Sequence, residues 1–556
     1  MKTITKRREL LGSTIMTLRD SEFPGSTYDG WAGQVEKVLK GKPVQSLNIE
    51  TLEGITIKPL YTDRPDHIDA HISRTWKSKA EWHLAQRGQG DSAEEVIGFM
   101  NEELKRGSEV AALDEKSSSI FNEVQAAEFL SLQDDLHIYI KCADLTPWQH
   151  VINNKRIKGI LGRSCSTPDL DDEWLKGIIE IDQVQPELKS IILSSVPIHQ
   201  KGANTVQELA FILSQAARVI QLAEKSGWSA DKVISKMHAE FATGSDFFME
   251  ISKLRAFRAI WRHFTDQYQI SANISISTET AGFTKLTQDE HTNMLRSGNE
   301  AFAAVLGGAD YIYVRPYDCF KSASSSQAVR AARNIGLILK EEMFLQSLID
   351  PAGGSYYIEH LTKEIAEKSW SRFCDFEDQG GLSAVYQDLM AEVKSTRDKR
   401  DYSVRTRKQS LVGMNKYAPA DKTMVEHIPD TAGYDWDMLI QKVQKYPVNR
   451  IALVTVGELK DYKPRADFVK GVFAAAGVVP DFDRDQADVL IVCGADQAYD
   501  QLLTGVIEKK KPAQKMYIAG KVKSEGIDGC LYNGMDMVAF LENVLFTGIG
   551  GDHHEA

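Results

Sequence analysis

From about residue 75 to residue 360, short apolar runs alternate with longer segments of helical period, and this alternation constrains the fold more than any other feature. The candidate strands are 110–113, 136–142, 177–182, 190–195, 273–277, 311–314 and 345–349. Helical periodicity fills 92–106, 205–226, 230–237, 247–267, 291–306 and 325–342. Strands separated by helices of that length pair in parallel, because the helix carries the chain back to start the next strand in the same direction. Seven or eight such units in about 270 residues suit an α/β fold of the (β/α)8 TIM-barrel type. An open doubly wound sheet of similar size is the structural alternative.

The flanks read differently. Residues 1–74 are expected to form an N-terminal arm, with one short amphipathic helix over 31–39 stopped by Gly41 and Pro43. Such an arm wraps its own barrel or embraces a partner. A helical tail over 359–397, interrupted at Gly380-Gly381, completes a barrel domain over 75–417. Residues 418–446 are the linker candidate. A smaller α/β domain over 447–556 follows. Its strands are expected at 450–456, 487–493 and 515–519, and its helices at 465–476, 498–509 and 535–545. The pattern is that of a flavodoxin-like open sheet, short of one helix between Pro480 and Ala487.

Composition excludes several functions. The net charge of -12 argues against a general nucleic-acid or membrane-surface role, which needs a basic face. The six cysteines, Cys142, Cys165, Cys319, Cys374, Cys493 and Cys530, form neither a zinc pattern nor a redox pair, so free thiols are expected. No apolar run approaches the roughly 20 residues that span a bilayer. The N-terminus lacks a signal-peptide core, and a cytoplasmic location is expected.

Several stretches together resemble the methylmalonyl-CoA mutase family. They are Ser245-Asp-Phe-Phe-Met-Glu-Ile-Ser-Lys-Leu-Arg255 with Arg258 and Trp261, Asn293-Met-Leu-Arg296, Ala303-Ala-Val-Leu-Gly-Gly-Ala-Asp310 and Arg315-Pro-Tyr-Asp318. Asp350-Pro-Ala-Gly-Gly-Ser-Tyr-Tyr357 with Glu359, Leu361 and Thr362 is the most specific, and Val412-Gly-Met-Asn-Lys-Tyr417 follows. The likeness covers roughly residues 25 to 545. It implies a coenzyme-A-binding barrel followed by a cobalamin domain. It also suggests a ligand-binding mouth loop at Asp350, with Lys253, Arg255 and Arg258 near that mouth. Those three either meet coenzyme A phosphates or form a solvated or salt-bridged helix face.

Departures from the family pattern fall where its chemistry lies. The position of the His that would bond the thioester carbonyl is Pro197, which offers no donor. His199 lies two residues on, and on a strand it would share a face with Pro197. Arg74 to Trp82 lacks the tyrosine expected there, and Glu279 enters a segment meant for a polyanionic thioester, repulsive unless paired. The family's Asp-x-His-x-x-Gly loop, whose His is the lower cobalt ligand, is matched by Leu459, Asp461 and Pro464. No histidine occurs from Ile428 to Asp552; His427 and the pair His553 and His554 lie just outside.

The resemblance therefore implies the small, non-catalytic subunit of a heterodimeric methylmalonyl-CoA mutase. No catalytic, cofactor-binding or metal residue is expected on this chain. Adenosylcobalamin and the acyl-CoA substrate are expected with a catalytic large subunit. The alternatives are a subunit of a related acyl-CoA mutase, and a non-enzymatic acyl-CoA-binding or chaperone-like protein.

Overall fold

The structure, a computed structural model, describes residues 25–65, 80–153, 157–167, 170–425, 427–522 and 524–547. The chain divides into two compact units, Met1–Arg64 and Pro65–Ala556. In the first, a helix Tyr28–Val38 is capped by the Thr27 hydroxyl, and the short strands Ile49–Glu50 and Thr56–Ile57 pair antiparallel.

In the second unit eight parallel strands form one sheet. They are β1 His83–Leu84, β2 Ala111–Leu113, β3 Leu136–Lys141, β4 Ile157–Ser164, β5 Lys189–Ser194, β6 Met237–Thr243, β7 Ser275–Thr280 and β8 Tyr311–Tyr313. Their order is β1-β8-β7-β6-β5-β4-β3-β2. The sheet curls until its ends meet. The Ala85 N–H donates to the Ile312 carbonyl on one side, while the Glu109 N–H donates to Leu84 and the Gly88 N–H to Ala112 on the other. Arg87 and Ala112 form the bridge that joins β1 to β2. The arrangement is that of a TIM-like barrel, and the open-sheet alternative falls.

Five expected strands stand close to their expected places, and two do not. Residues 177–182 lie inside a helix, Asp172–Val184. Asp171 caps its start, and Trp174, Leu175, Ile178 and Ile181 are buried at helical spacing. Residues 345–349 hold a 3-10 turn, Leu345–Ser347, with Leu348 and Ile349 exposed. Their places in the sheet are taken by strands the apolar pattern hid. β6 carries His238 and Glu240, which break its apolar run although all seven residues are buried. β4 contains Gly159 at φ 107, where a Cβ would stand 2.2 Å from the Ile138 carbonyl oxygen. β1 is only two residues long.

Two long helices, Tyr356–Asp378 and Leu382–Arg405, form the tail. The expected linker is partly a helix, Tyr434–Lys445, because Trp436, Leu439 and Ile440 are buried on one face. They join a hydrophobic cluster that runs from Phe283 and Leu286, just past β7, through Met414 into the last sheet. That sheet contains β9 Ile451–Thr455, β10 Val489–Cys493, β11 Lys515–Ala519 and β12 Gly529–Leu531, parallel and in that order. Asp481 bridges Ala452 in parallel, outside the ladder that pairs β9 with β10. Among the described residues no helix is long and apolar enough to cross a membrane.

Candidate functional site

Alternate residues of a barrel strand face the bore. Here β3 sends His137, Tyr139 and Lys141 inward, β6 sends His238 and Glu240, and β7 sends Ser277 and Glu279. Arg87, just past β1, reaches the same space.

Glu240, 1% exposed, is the centre. Its carboxylate accepts from Lys141 Nζ at 2.7 Å, Ser194 Oγ at 2.7 Å, Tyr139 Oη at 3.0 Å and Arg87 Nη2 at 3.0 Å. Arg87 Nη1 lies 2.6 Å from Glu279, which Arg315 engages from the mouth side. The Arg87 guanidinium stacks on the Tyr313 ring, 4.6 Å from its centroid. Burial by itself would raise both carboxyls. The Lys141 and Arg87 charges override it at Glu240, and Arg315 and Arg87 override it at Glu279, so both are held below the ordinary carboxylate range. Glu279 is thus paired, as its position requires.

Below this layer Tyr139 shares a hydrogen bond with Ser277 at 3.0 Å. His238 sits between Ser275 at 2.7 Å and Ser277 at 2.8 Å, and His137 meets Tyr311 Oη at 2.9 Å. The void left among Arg87, Tyr139, Ser277, Tyr311 and Tyr313 is about 10 Å³, room for about one water molecule. The filling residues Arg87, Tyr139, Lys141 and Glu240 escaped sequence reasoning. Their one signal is charge at alternate positions of an otherwise apolar strand, as in Leu136-His-Ile-Tyr-Ile-Lys141.

The mouth residues singled out by sequence are placed as follows. Pro197 lies in the first turn of a short helix, Val196–Gln200, which accepts proline there. On a helix, residues two apart do not share a face, so His199 is not aligned with Pro197. Its Nδ1 meets Glu208 Oε1 at 2.8 Å. Lys253, Arg255 and Arg258 are salt-bridged, as the second alternative held, and are not free for phosphates, being 0%, 2% and 7% exposed. Lys253 is held by Glu208, Glu250 and the Ala242 carbonyl. Arg255 binds Asp350, Glu359 and Thr362. Arg258 binds Asp310 and the carbonyls of Ile274 and Gly308. Ile274 and Gly308 precede β7 and β8, so the helix Phe247–Gln267, which carries all three, brings Arg258, and Asp350 beside it, toward the N-terminal end of the barrel. The Asp350 loop is a buttress of the helix ring and follows no strand. Residues 74–79 lie outside the described residues.

In the last sheet the positions matched to the cobalt-ligand loop are placed as follows. The loop expected after β9 is a helix, Leu459–Ala475, with Pro464 inside it. Leu459 is 61% exposed, and Asp461 accepts the Glu458 N–H in a capping box. Across the C-terminal ends of the strands, Arg465 donates to Asp496 at 2.7 Å and lies over the Tyr499 ring. Tyr499 Oη accepts the Gly494 N–H and donates to the Val492 and Ala519 carbonyls. Among the described residues no group of three or more His, Cys, Asp or Glu is placed to hold a metal ion.

Comparison with known proteins follows this geometry. The family model described as methylmalonyl-CoA mutase matches residues 176–450. A methylmalonyl-CoA mutase small subunit of Porphyromonas gingivalis is 26% identical, over 90% of this chain and 92% of that protein. One from Propionibacterium freudenreichii subsp. shermanii is 24% identical, over 94% of this chain and 95% of that protein. A methylmalonyl-CoA mutase of Rhizobium meliloti is 33% identical, but over 42% of this chain and 33% of that protein.

Proposed function

The chain belongs to the methylmalonyl-CoA mutase family, and from that premise we propose that it is the small, non-catalytic subunit of an adenosylcobalamin-dependent mutase. Its partner is a homologous large subunit, which holds the cofactor and the acyl-CoA and interconverts methylmalonyl-CoA and succinyl-CoA. The cofactor supplies the radical chemistry, and this chain stabilises the partner. The observation that carries the reading is the filled bore: Arg87, Lys141, Glu240 and Glu279 stand where a thioester would thread. The same filling counts against an independent acyl-CoA-binding role.

The C-terminal unit is read as a degenerate flavodoxin-like domain of cobalamin type. The Asp481 bridge on the far side of β9 supports this, as it supplies a vestigial second strand in the order such domains have. The N-terminal unit is read as an arm that embraces the large subunit. Among its described residues Val44 and Ile55 are buried, while Tyr28, Val38, Ile49, Leu52 and Leu60 are exposed. So little enclosed surface supports a segment that finds its core on a partner.

The test is co-expression with the homologous large subunit. A stable heterodimer burying more than roughly 2,000 Å² is expected, as obligate interfaces do. Isomerisation should appear only in the pair. Deleting residues 1–60 should weaken assembly and leave this chain folded. Isomerisation or stoichiometric cobalt in the isolated chain would sink the reading, as would a chain that stays monomeric beside a competent large subunit.

A further inference from the structure

Residues 420–425 cross from the barrel to the C-terminal unit through a polar notch. Gln288, in the loop after β7, donates Nε2 to the Thr423 carbonyl at 2.9 Å and accepts the Thr423 N–H at 3.1 Å. Its neighbour Thr287 donates Oγ1 to Asp437 Oδ1 at 2.6 Å. Asp437 lies on the helix Tyr434–Lys445 and is 2% exposed. Lys422 enters from the other side. Gln444 donates to its carbonyl at 3.1 Å, and a Cβ on Gly477 would stand 2.9 Å from its Cγ. The Lys422 amine and the second Asp437 oxygen are both enclosed, and neither has a hydrogen-bond partner.

The charges facing Lys422 are Asp437, Asp421 and Asp289. Those facing Asp437 are Lys422 and the dipoles of Thr287 and Gln288. Burial outweighs them in both cases. It pushes the Lys422 amine down to about 8 and the Asp437 carboxyl up to about 6. Asp437, raised from 3.8, contributes stability at low pH that is lost as pH rises through its folded value. Lys422, lowered from 10.5, contributes stability at high pH that is lost as pH falls through its own. Both losses are in force at neutral pH, where the enclosed Lys422 ammonium has no hydrogen-bond partner and Thr287 donates to one oxygen of the enclosed Asp437 carboxylate.

We propose that residues 420–425 form a pH-responsive clasp between the barrel and the C-terminal unit, loosened at neutral pH and closed by protonation of Asp437. What loosens is the connector and the first turn of the helix Tyr434–Lys445. The hydrophobic seam of Phe283, Met414 and Trp436 beneath them holds.

Hydrogen exchange of the full chain between pH 5 and pH 8, corrected for the intrinsic rate, tests this. Peptides covering 420–425 and 434–438 should gain protection on acidification, the rise setting in near 6, the midpoint of the Asp437 titration. The gain should be about tenfold by pH 5, since each pH unit below the folded value and above the ordinary one is a factor of ten. Asp437→Asn should be protected at pH 7 and insensitive to pH. Lys422→Met should move the midpoint above 6, because it removes the cation that favours the ionised carboxyl. Protection that ignores pH would overturn the proposal. So would Asp437→Asn exchanging as fast as wild type at pH 7, or a midpoint unmoved by Lys422→Met. Should Asp437→Asn fail to fold, the Lys422→Met midpoint decides alone.

Discussion

Four donors converge on the Glu240 carboxylate, and that convergence makes it the most exacting residue of the barrel. Replacing it with Ala leaves Arg87 with Glu279 alone and takes from the buried Lys141 its close carboxylate partner. An uncompensated buried charge costs about 3–5 kcal/mol. Glu240→Ala should therefore lower stability by that order, read from denaturant midpoints of the isolated chain. A loss under about 1 kcal/mol would show that water reaches the bore. Glu279 illustrates what single residues reveal in sequence. Its charge was legible as a problem that needed a partner. Its partners Arg87 and Arg315 were not, because they come from strands distant along the chain and closure of the sheet alone brings them together. The absence of an imidazole at Pro197, Leu459 and Asp461 was legible, since it is read from residue identity without geometry.

At the scale of elements, periodicity served helices better than strands. The helices Thr205–Lys225 and Phe247–Gln267 present long buried faces, and their ends were readable from caps and spacing. Strands failed where polar bore residues interrupt the apolar run, as in β6, or where an apolar run belongs to a helix, as at 177–182. The same bore-facing polarity has a pH consequence. Burial holds the imidazole of His238 down at about 3, and burial with His83 nearby holds His137 at about 4. Both start from 6.5 in the unfolded chain. The folded values are depressed, so the unfolded chain binds the extra protons as pH falls below 6.5. Stability present above that value is lost down through the folded values. At pH 5 the loss is about 2 kcal/mol for each histidine. Asp437 works in the opposite sense over part of this range, since its raised carboxyl favours the fold on acidification. Urea midpoints at pH 7 and pH 5 should show the net fall. His238→Gln should reduce that fall by about 2 kcal/mol, and an unchanged acid limb would remove His238 from the explanation.

For the whole molecule, the decisive feature is that the barrel and the last sheet share one hydrophobic cluster. Phe283 and Leu286 at the mouth pack with Met414 and Trp436, and these continue into Ile451, Val469 and Leu541 around the last sheet. The Phe283 carbonyl accepts the Ala432 N–H at 2.9 Å, and Gln200 donates to the Asp430 carbonyl at 2.8 Å. Arg397 lies over the Phe283 ring, 4.7 Å from its centroid, and bonds Asp430 and the Thr431 carbonyl. A mouth capped in this way has no separable halves, although composition around 418–446 suggested a linker. Residues 80–547 should accordingly unfold in one transition, with calorimetric and van't Hoff enthalpies that agree. Phe283→Ala should remove an aromatic side chain from the seam at a cost of about 3–5 kcal/mol. Because the seam joins both parts, that substitution should move barrel and C-terminal probes together. Far-UV dichroism reads the helices of both parts, and exchange protection of β10 and β11 reads the last sheet alone. If β10 and β11 keep their protection while the barrel melts at lower denaturant, the two parts fold independently and the shared cluster is contact without cooperativity.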